Sequence, residues 1–254
     1  MRLWSSYSSI DLEEVAGSSL VLQPIGSIEQ HGPHLPLVTD SLIAQEVALQ
    51  AIRETPTASI LLPIISYGLS SEHLHASGTI SLSPTTLLAV LDDLGASLAR
   101  AGVEKLVFLN GHGGNSALLR VASRELRLRY GLMTFLVHPH LPVDQVSVVS
   151  NDREGGFAIH GGVAETSMML YLKPDLVHID RLERSIPDWL SRYSKIGFGG
   201  PVTFGWTAAD LSSNGVIGDP TSASPEAGKR SFEAGVSGVV AALEEIQAFQ
   251  FPQY

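Results

Sequence analysis

The stretch KLVFLNGHGGNS, residues 105–116, decides the fold class of this chain of 254 residues. A short apolar run leads directly into a glycine loop around His112, and a segment with helical spacing follows from Ser116. The order strand, glycine loop and helix is typical of α/β proteins, in which ligands bind outside the carboxyl ends of parallel strands. His112 therefore stands where such a sheet places its site, although a loop histidine can also be a simple exposed imidazole.

The alternation of strands and helices continues outward from this stretch. Apolar runs predict further strands at residues 19–25, at 59–65 and from 133. Helical spacing and start signals predict helices at residues 41–53, 83–101, 116–130, from 164 and 225–248. Residues 185–225 are rich in Gly, Ser and Pro but contain several aromatic residues, so we expect an ordered excursion there. The pattern predicts one α/β domain over residues 1–254, with a mostly parallel sheet and helices on both of its faces.

The composition excludes several classes of function. A formal net charge of -10, with only 16 scattered Lys and Arg residues, argues against a nucleic-acid partner. The chain has no cysteine, which excludes disulfides, thiolate metal sites and a cysteine nucleophile, so nitrogen and oxygen must hold any metal. No apolar run is long enough to span a membrane and no secretory signal opens the chain, so a cytoplasmic location is expected.

Metal-capable side chains are concentrated in GSIEQHGPHLPLVTD, residues 26–40. Glu29 and His31 are two positions apart, so in an extended chain they project to the same face. Asp40 follows a loop with Gly and Pro that can fold back, and its carboxylate can bridge a pair of Zn²⁺ or Mn²⁺ ions. The spacing leaves open the alternative of a polar turn followed by a helix that Asp40 caps.

A second group of candidates lies in AIHGGVAETS, residues 158–167. His160 and Glu165 are five positions apart, beside a glycine pair that opens a helix. Glu165 can point into a cleft as a metal ligand, or it can be a carboxylate favoured by the helix dipole. His160 can likewise belong to the site or be a structural histidine.

The segments PIGSIEQHGPHLPLVTD, NGHGGN and HGGVAETSMML, in this order, resemble the creatininase, or creatinine amidohydrolase, family. The similarity runs over residues 24–180, with a weaker match in GVIGDPTSASPEAG near the end. The resemblance implies a three-layer α/β/α fold and two divalent metal ions per chain, Zn²⁺, Mn²⁺ or Fe²⁺. It also implies hydrolysis of carbon–nitrogen bonds in small cyclic or linear amides, and a homo-oligomer, often a hexamer.

The resemblance also assigns roles to the candidate ligands. Glu29 and His112 would hold one metal, His31 would hold the other, and Asp40 would bridge the two. Glu165 is the candidate for the remaining ligand.

One departure from the family pattern lies behind the choice of Glu165. Creatininase itself has Tyr and a metal-binding Glu after the histidine of NGHGGN, where Gly113 and Gly114 stand here. Another carboxylate must then complete the site.

The implied chemistry is metal-assisted hydrolysis of an amide. Two cations that share a water lower its pKa from about 15.7 toward 7 and polarise the carbonyl. His160 would pass a proton to the leaving nitrogen, and backbone N–H groups near residues 113–115 would stabilise the oxyanion. The candidate substrate-binding residues are Glu72, His73, Gly113, Gly114, Asn115 and Phe157. Since Gly156 and Phe157 replace a Trp-Asp pair of the creatininase pocket, creatinine is not the expected substrate.

Several functions remain compatible with the sequence. The leading one is hydrolysis of a small cyclic or formylated amide; the alternatives are a peptidase that trims a short modified peptide and a hydrolase that opens an oxidised cyclic polyol. A different class is a metal-binding or ligand-binding module without activity. Nucleotide binding and serine hydrolysis are disfavoured, because the glycine loop lacks a Lys-Ser/Thr ending and no G-x-S-x-G motif is present. Residues 141–160 and 185–215 are expected to decide the substrate.

Overall fold

The structure is a computed structural model that describes residues 2–139, 154, 156–198 and 201–252. Most of the segment 141–160, which is expected to influence substrate choice, lies outside these residues. No helix in the described ranges is both long enough and apolar enough to cross a membrane.

Four parallel strands form the central sheet, in the order β2-β1-β3-β4. They are β1 (Leu20–Ile25), β2 (Ser59–Leu61), β3 (Lys105–Asn110) and β4 (Met133–Val137). Ile25 lies opposite Asn110, so β1 and β3 end at the same level. The loops that follow these two strands therefore leave the sheet side by side.

Helices cover both faces of the sheet. The described helices are α1 (Ser9–Val15), α2 (Thr39–Glu54), α3 (Pro84–Arg100), α4 (Ser116–Tyr130), α5 (Val163–Leu172), α6 (Ala208–Leu211) and α7 (Pro225–Ala248). Alternate strand residues face opposite sides, so Leu20 and Leu22 pack with α2, α5 and α7, whereas Val21 and Ile25 pack with α3 and α4. The prediction of a three-layer α/β/α fold with a parallel sheet is confirmed.

Two predicted elements differ from the structure by two residues or more at one end. Helix α2 begins at Thr39 instead of residue 41, and Asp40 lies inside its first turn without capping it. The predicted strand at 59–65 ends at Leu61. Pro63 has no N–H to donate, and beyond it the register against β1 shifts by one residue, so that Ile25 lies opposite Ile65.

The described part of the excursion at residues 185–225 is ordered, as predicted. It contains short helical turns, helix α6 and a small apolar cluster. The buried members of this cluster are Ala208, Leu211 and Ile217, and Phe198, Phe204 and Trp206 pack against them. This cluster is separate from the two larger cores that flank the sheet.

Lys105, the first residue of β3, joins the sheet to the end of the last helix. Its Nζ donates hydrogen bonds to the backbone oxygens of Ile246, Gln247 and Phe249, at 2.9, 2.7 and 2.8 Å. The last carbonyls of a helix lack partners in the helix ladder. Ile246 O also accepts from the N–H of Phe249 at 3.2 Å, and the buried ammonium adds a charged donor to this helix end.

Substitution Lys105→Met should destabilise the fold, because the carbonyls at the end of α7 lose a charged donor. We expect a loss of about 2 to 3 kcal/mol in the free energy of unfolding, measured by urea denaturation. Lys229→Met, on the exposed side of α7, is the matched control and should change stability by less than about 0.5 kcal/mol. Equal stability of the two variants would contradict a structural role for Lys105.

Candidate metal centre

The loop after β1 is a hairpin-like turn that points two candidate ligands to one side. The N–H of Glu29 donates to the backbone oxygen of Leu37 at 3.0 Å, and His31 pairs with Leu35. Gly32 reverses the chain with a φ of 69°, a conformation that glycine adopts without strain. The side chains of Glu29 and His31 are thereby both buried at the carboxyl end of the sheet.

Asp40 lies between histidines from the two neighbouring loops. Its Oδ1 is 3.0 Å from Nε2 of His31, and its Oδ2 is 3.0 Å from Nδ1 of His112. Ser27 Oγ also donates to Oδ2 at 2.7 Å. These contacts explain why Asp40 does not cap α2: its carboxylate is turned toward the site.

A close approach between helix α2 and the end of β3 brings Asp40 into this position. Gly111 directly follows β3, and a Cβ there would lie 2.6 Å from the backbone oxygen of Asp40 and 2.9 Å from Cβ of Ala44. Only glycine leaves room for the helix at this distance.

Glu29 is fully buried, and neither of its carboxylate oxygens accepts a hydrogen bond from any described residue. Imidazole nitrogens surround it instead. Its Oε2 is 3.3 Å from His112 Nε2, and its Oε1 is 3.6 Å from both His73 Nε2 and His160 Nδ1. A buried carboxylate without a donor is costly, and a cation bound to it would remove that cost. The site therefore fits a metal ion.

The candidate ligands form two groups that share one residue. Glu29, Asp40 and His112 offer ligand atoms within 4.8 Å of one another, and so do His31, Asp40 and Glu165. Nitrogen and carboxylate oxygen donors of this kind suit Zn²⁺, Mn²⁺ or Fe²⁺. A third group, Glu29, His31 and His160, overlaps the first two. The structure thus brings together all six residues, while their roles as ligands or catalytic groups stay a prediction.

The glycine loop leaves space for another carboxylate beside His112. A Cβ at Gly114 would overlap the Glu72 carboxylate and Nε2 of His112. Glu72 Oε1 lies 3.6 Å from that nitrogen, and burial raises the pKa of Glu72. Glu165 approaches from the start of α5, where its Oε2 accepts a hydrogen bond from Gly161 N at 2.6 Å, and burial raises its pKa to about 7.

The carboxylates hold protons on the histidines that face them. Burial alone would lower the pKa of His31, but the Asp40 carboxylate outweighs it and raises that pKa to about 10. The pKa of His112 is raised well above its usual value for the same reason, by Glu29 and Asp40. Burial would raise the pKa of Asp40, yet His31 and His112 hold it well below its usual value.

Two other histidines stay neutral. The His160 ring stacks between those of His31 and His73, with centroid distances of 4.1 and 4.2 Å. Burial lowers the pKa of His73 to about 4 and that of His160 well below its usual value. His160 Nε2 donates to the backbone oxygen of Gln30 at 2.6 Å, which leaves Nδ1 facing Glu29.

A cavity of about 300 Å³ opens above these groups. Among the predicted substrate-binding residues, Glu72, His73, Gly113 and Gly114 line it, whereas Asn115 and Phe157 do not. Asn115 is buried and braces the loop, since its Oδ1 accepts from Leu69 N at 2.8 Å and its Nδ2 donates to Gly26 O at 3.0 Å.

The outer wall of the cavity comes from the two segments expected to decide the substrate, 141–160 and 185–215, although the sequence does not show which of their residues face the cavity. It consists of the apolar or aromatic residues Ile159, Phe198, Phe204 and Trp206, together with Thr203. The available signal is the presence of aromatic residues in the Gly-rich segment 185–225, which indicates that this segment is ordered. No periodic pattern in the sequence shows which residues of this segment face the site. Their contact with the cavity is seen only in the folded structure.

The comparisons with known proteins agree with the fold. The creatininase family model, described as creatinine amidohydrolase, matches residues 5–243. The chain is 35% identical over 230 residues to the mycofactocin precursor peptide peptidase of Mycobacterium ulcerans (strain Agy99), with 88% of this chain and 84% of the relative covered. It is 32% identical over 258 residues to the creatinine amidohydrolase of Pseudomonas putida, with 95% of this chain and 94% of the relative covered.

Solved structures extend the similarity to three dimensions. A creatinine amidohydrolase (creatininase) superposes with a TM-score of 0.79 at 28% identity, covering 98% of this chain and 99% of that one. A structure named creatininase Mn gives a TM-score of 0.77 at 29% identity, covering 96% of this chain and 98% of that one. A creatininase of the Zn-Zn type also gives 0.77 at 29%, covering 96% and 97%. These names support a divalent metal in the cluster of buried histidines and carboxylates.

Substitution Gly111→Ala should weaken metal binding, because the new Cβ pushes α2 and Asp40 away from His112. We expect roughly 10-fold to 100-fold lower zinc affinity, as is usual when a supporting residue of a metal site is lost. Gly113→Ala is the control, since a Cβ there meets no atom within 4 Å. Competition with a chromophoric chelator measures both affinities, and equal values would contradict the close-approach argument.

Zinc affinity should rise with pH from neutral to about 10, the pKa of His31 in the metal-free protein. His31 is protonated below that value and a protonated imidazole cannot bind a cation, so metal binding must release protons. Titration calorimetry in two buffers with different ionisation enthalpies counts the released protons. An affinity that does not change over this range would contradict proton release from His31 on metal binding.

Proposed function

This chain belongs to the creatininase family, and on that basis we propose that it hydrolyses an amide bond of a small cyclic or formylated compound with two bound divalent cations. Family membership makes it a metal-dependent hydrolase that acts on carbon–nitrogen bonds. The single observation that carries the two-cation site is Asp40, whose oxygens lie 3.0 Å from histidines of two different ligand groups.

Each cation has its own set of protein ligands in this proposal. Glu29 and His112 would hold one, His31 and Glu165 would hold the other, and Asp40 would be shared by both. The support is geometric, because these sets are the two clusters that share Asp40. Glu165 stands in for the carboxylate missing at Gly114, and its raised pKa of about 7 means that a cation would displace a proton from it near neutral pH.

The chemistry divides between the cations and the protein. Two bound cations would supply a hydroxide nucleophile at neutral pH and polarise the scissile carbonyl. His160 presents its Nδ1 at the cavity and can carry a proton to the departing nitrogen, which leaves poorly unless it is protonated. Gly113 and Gly114 line the same cavity, and backbone N–H groups there can stabilise negative charge on the carbonyl oxygen.

Domain organisation and assembly complete the proposal. We treat residues 1–254 as one domain, since helices α2, α3, α4, α5 and α7 pack against a single sheet. A homo-oligomer is supported by exposed aromatic residues such as Trp189 and Tyr193 in the segment after Ser185. The cytoplasmic location stays a prediction.

A peptide is the second candidate substrate, and two observations favour it. The curated relative that is 35% identical is a precursor peptide peptidase. The outer cavity wall of Ile159, Phe198, Phe204 and Trp206 offers an apolar surface to a peptide side chain, while the cavity of about 300 Å³ admits only the end of a chain.

Elemental analysis of protein purified without chelator tests the metal centre. We expect about two equivalents of Zn, Mn or Fe per chain, and loss of the pair in Asp40→Ala, because the bridging carboxylate is gone. Asp93→Ala, an exposed carboxylate on α3, should keep both metals. Two metals and full turnover in Asp40→Ala would overturn the assignment.

A panel of cyclic amides, formamides and short peptides then identifies the substrate. Hydrolysis that is lost on metal removal and restored by adding metal would support the enzyme. A protein that neither contains nor takes up metal and cleaves none of the panel would be a binding module that retained the fold.

A further inference from the structure

The side chain of Gln30 is buried beside His73 and His160, two residues that line the cavity, and Gln30 stands between Glu29 and His31 in the sequence. Its Oε1 accepts a hydrogen bond from the N–H of Gly32 at 2.9 Å, and its Nε2 donates to the backbone oxygen of Gly215 at 3.1 Å. A backbone N–H can only donate and a carbonyl oxygen can only accept. These two partners therefore determine which end of the amide is oxygen and which is nitrogen.

The same amide determines where His73 carries its hydrogen. The second hydrogen on Gln30 Nε2 points to Nδ1 of His73, at 2.7 Å. That nitrogen must accept, so a neutral ring carries its hydrogen on Nε2. His73 Nε2 is the nitrogen on the cavity side, 3.6 Å from Glu29 Oε1. His73 thus presents a hydrogen-bond donor to the cavity.

His160 presents a hydrogen-bond acceptor to the cavity, beside the donor of His73. Its Nε2 lies 2.6 Å from the backbone oxygen of Gln30, so this nitrogen carries the hydrogen and Nδ1 is left as the acceptor. Nδ1 is also 3.6 Å from Glu29 Oε1. Gln30 Nε2 lies 3.2 Å from His160 Nε2, but both nitrogens direct their hydrogens elsewhere, so this contact is not a hydrogen bond.

We propose that Gln30 is a positioning residue that fixes the tautomer of His73, so that the cavity presents one donor, His73 Nε2–H, beside one acceptor, His160 Nδ1. The two rings stack with centroids 4.2 Å apart, which keeps the donor and the acceptor side by side. The proposal rests on the amidohydrolase function given above and adds a role for two residues to it.

Amide hydrolysis uses a donor and an acceptor together. The oxygen of water forms the new bond to the carbonyl carbon, the C–N bond breaks, and a proton lost by the water ends on the departing nitrogen. His160 Nδ1 can take up that proton and hand it on. His73 Nε2–H can donate to the carbonyl oxygen as it gains negative charge. If His73 carried its hydrogen on Nδ1, two acceptors would face the cavity and that oxygen would lose a donor.

The tautomers can be observed directly in zinc-loaded protein labelled with [¹⁵N]histidine. Two-bond ¹H–¹⁵N correlation spectra should show the hydrogen on Nε2 in both His73 and His160. His73→Phe, which retains a ring for stacking, assigns the His73 signals, and His75→Phe in the same loop is the matched exposed control. A hydrogen on Nδ1 of His73, or zinc bound at its Nε2, would overturn the proposal.

Substitution Gln30→Glu tests the role of the amide. A carboxylate accepts where the amide donated, so the hydrogen of His73 should move from Nε2 to Nδ1. His160 should not change, because its partner is the backbone oxygen at position 30, and it serves as the internal control. We expect kcat to fall by about 100-fold, as for loss of one oxyanion donor, with KM changed by less than about threefold.

Three results separate the possibilities. A moved hydrogen with unchanged kcat would refute the role of the tautomer in catalysis. If Gln30→Glu does not fold, the wild-type spectrum and the kinetics of His73→Phe against His75→Phe still decide the proposal, and equal kcat values would refute it. If the wild-type protein hydrolyses no amide, the proposed function fails, while the spectrum independently reports whether Gln30 fixes His73.

Discussion

The contact of one carboxylate with two histidines is the constraint on which the rest of the site depends. Asp40 can lie 3.0 Å from both His31 and His112 only because β1 and β3 are parallel and end at the same level. Helix α2 must also approach the sheet closely, which the absence of a side chain at Gly111 permits. The parallel sheet, the glycine loop and the first turn of α2 are thus three requirements of a single geometry.

The electrostatics of the site divide its histidines into two kinds. His31 and His112 contact Asp40 at 3.0 Å and have raised pKa values, whereas His73 and His160 lie 3.6 Å from the nearest Glu29 oxygen and burial lowers their pKa values. In the proposed metal centre the first kind would exchange a proton for a cation, whereas the second kind, with its lowered pKa values, can donate or accept hydrogen bonds as a neutral ring. Carboxylate groups outnumber cationic side chains around the cavity, which favours the entry of divalent cations.

Sequence reasoning predicted the parts of the site that depend on local spacing and strand ends. Glu29 and His31 follow β1 two residues apart, and His112 follows β3. The sequence alone therefore predicts where these residues lie. Asp40 was left open between a bridge and a helix cap, because the choice depends on how closely α2 packs on Gly111. The orientation of the Gln30 amide depends on Gly215, far along the chain, and no local pattern shows it. For the same reason, the sequence indicates the segment that forms the aromatic cavity wall but not which of its residues face the cavity.

The separate apolar cluster around Ala208, Leu211 and Ile217 has an evolutionary consequence. Its partners Phe198, Phe204 and Trp206 form the cavity wall, yet they share no member with the two cores that stabilise the sheet. Mutations in the wall can therefore change the shape offered to a substrate while the sheet, the helices that cover it and the proposed metal ligands keep their packing. A lineage built on this fold can acquire new substrates by drift in one peripheral segment, and its metal chemistry is inherited unchanged.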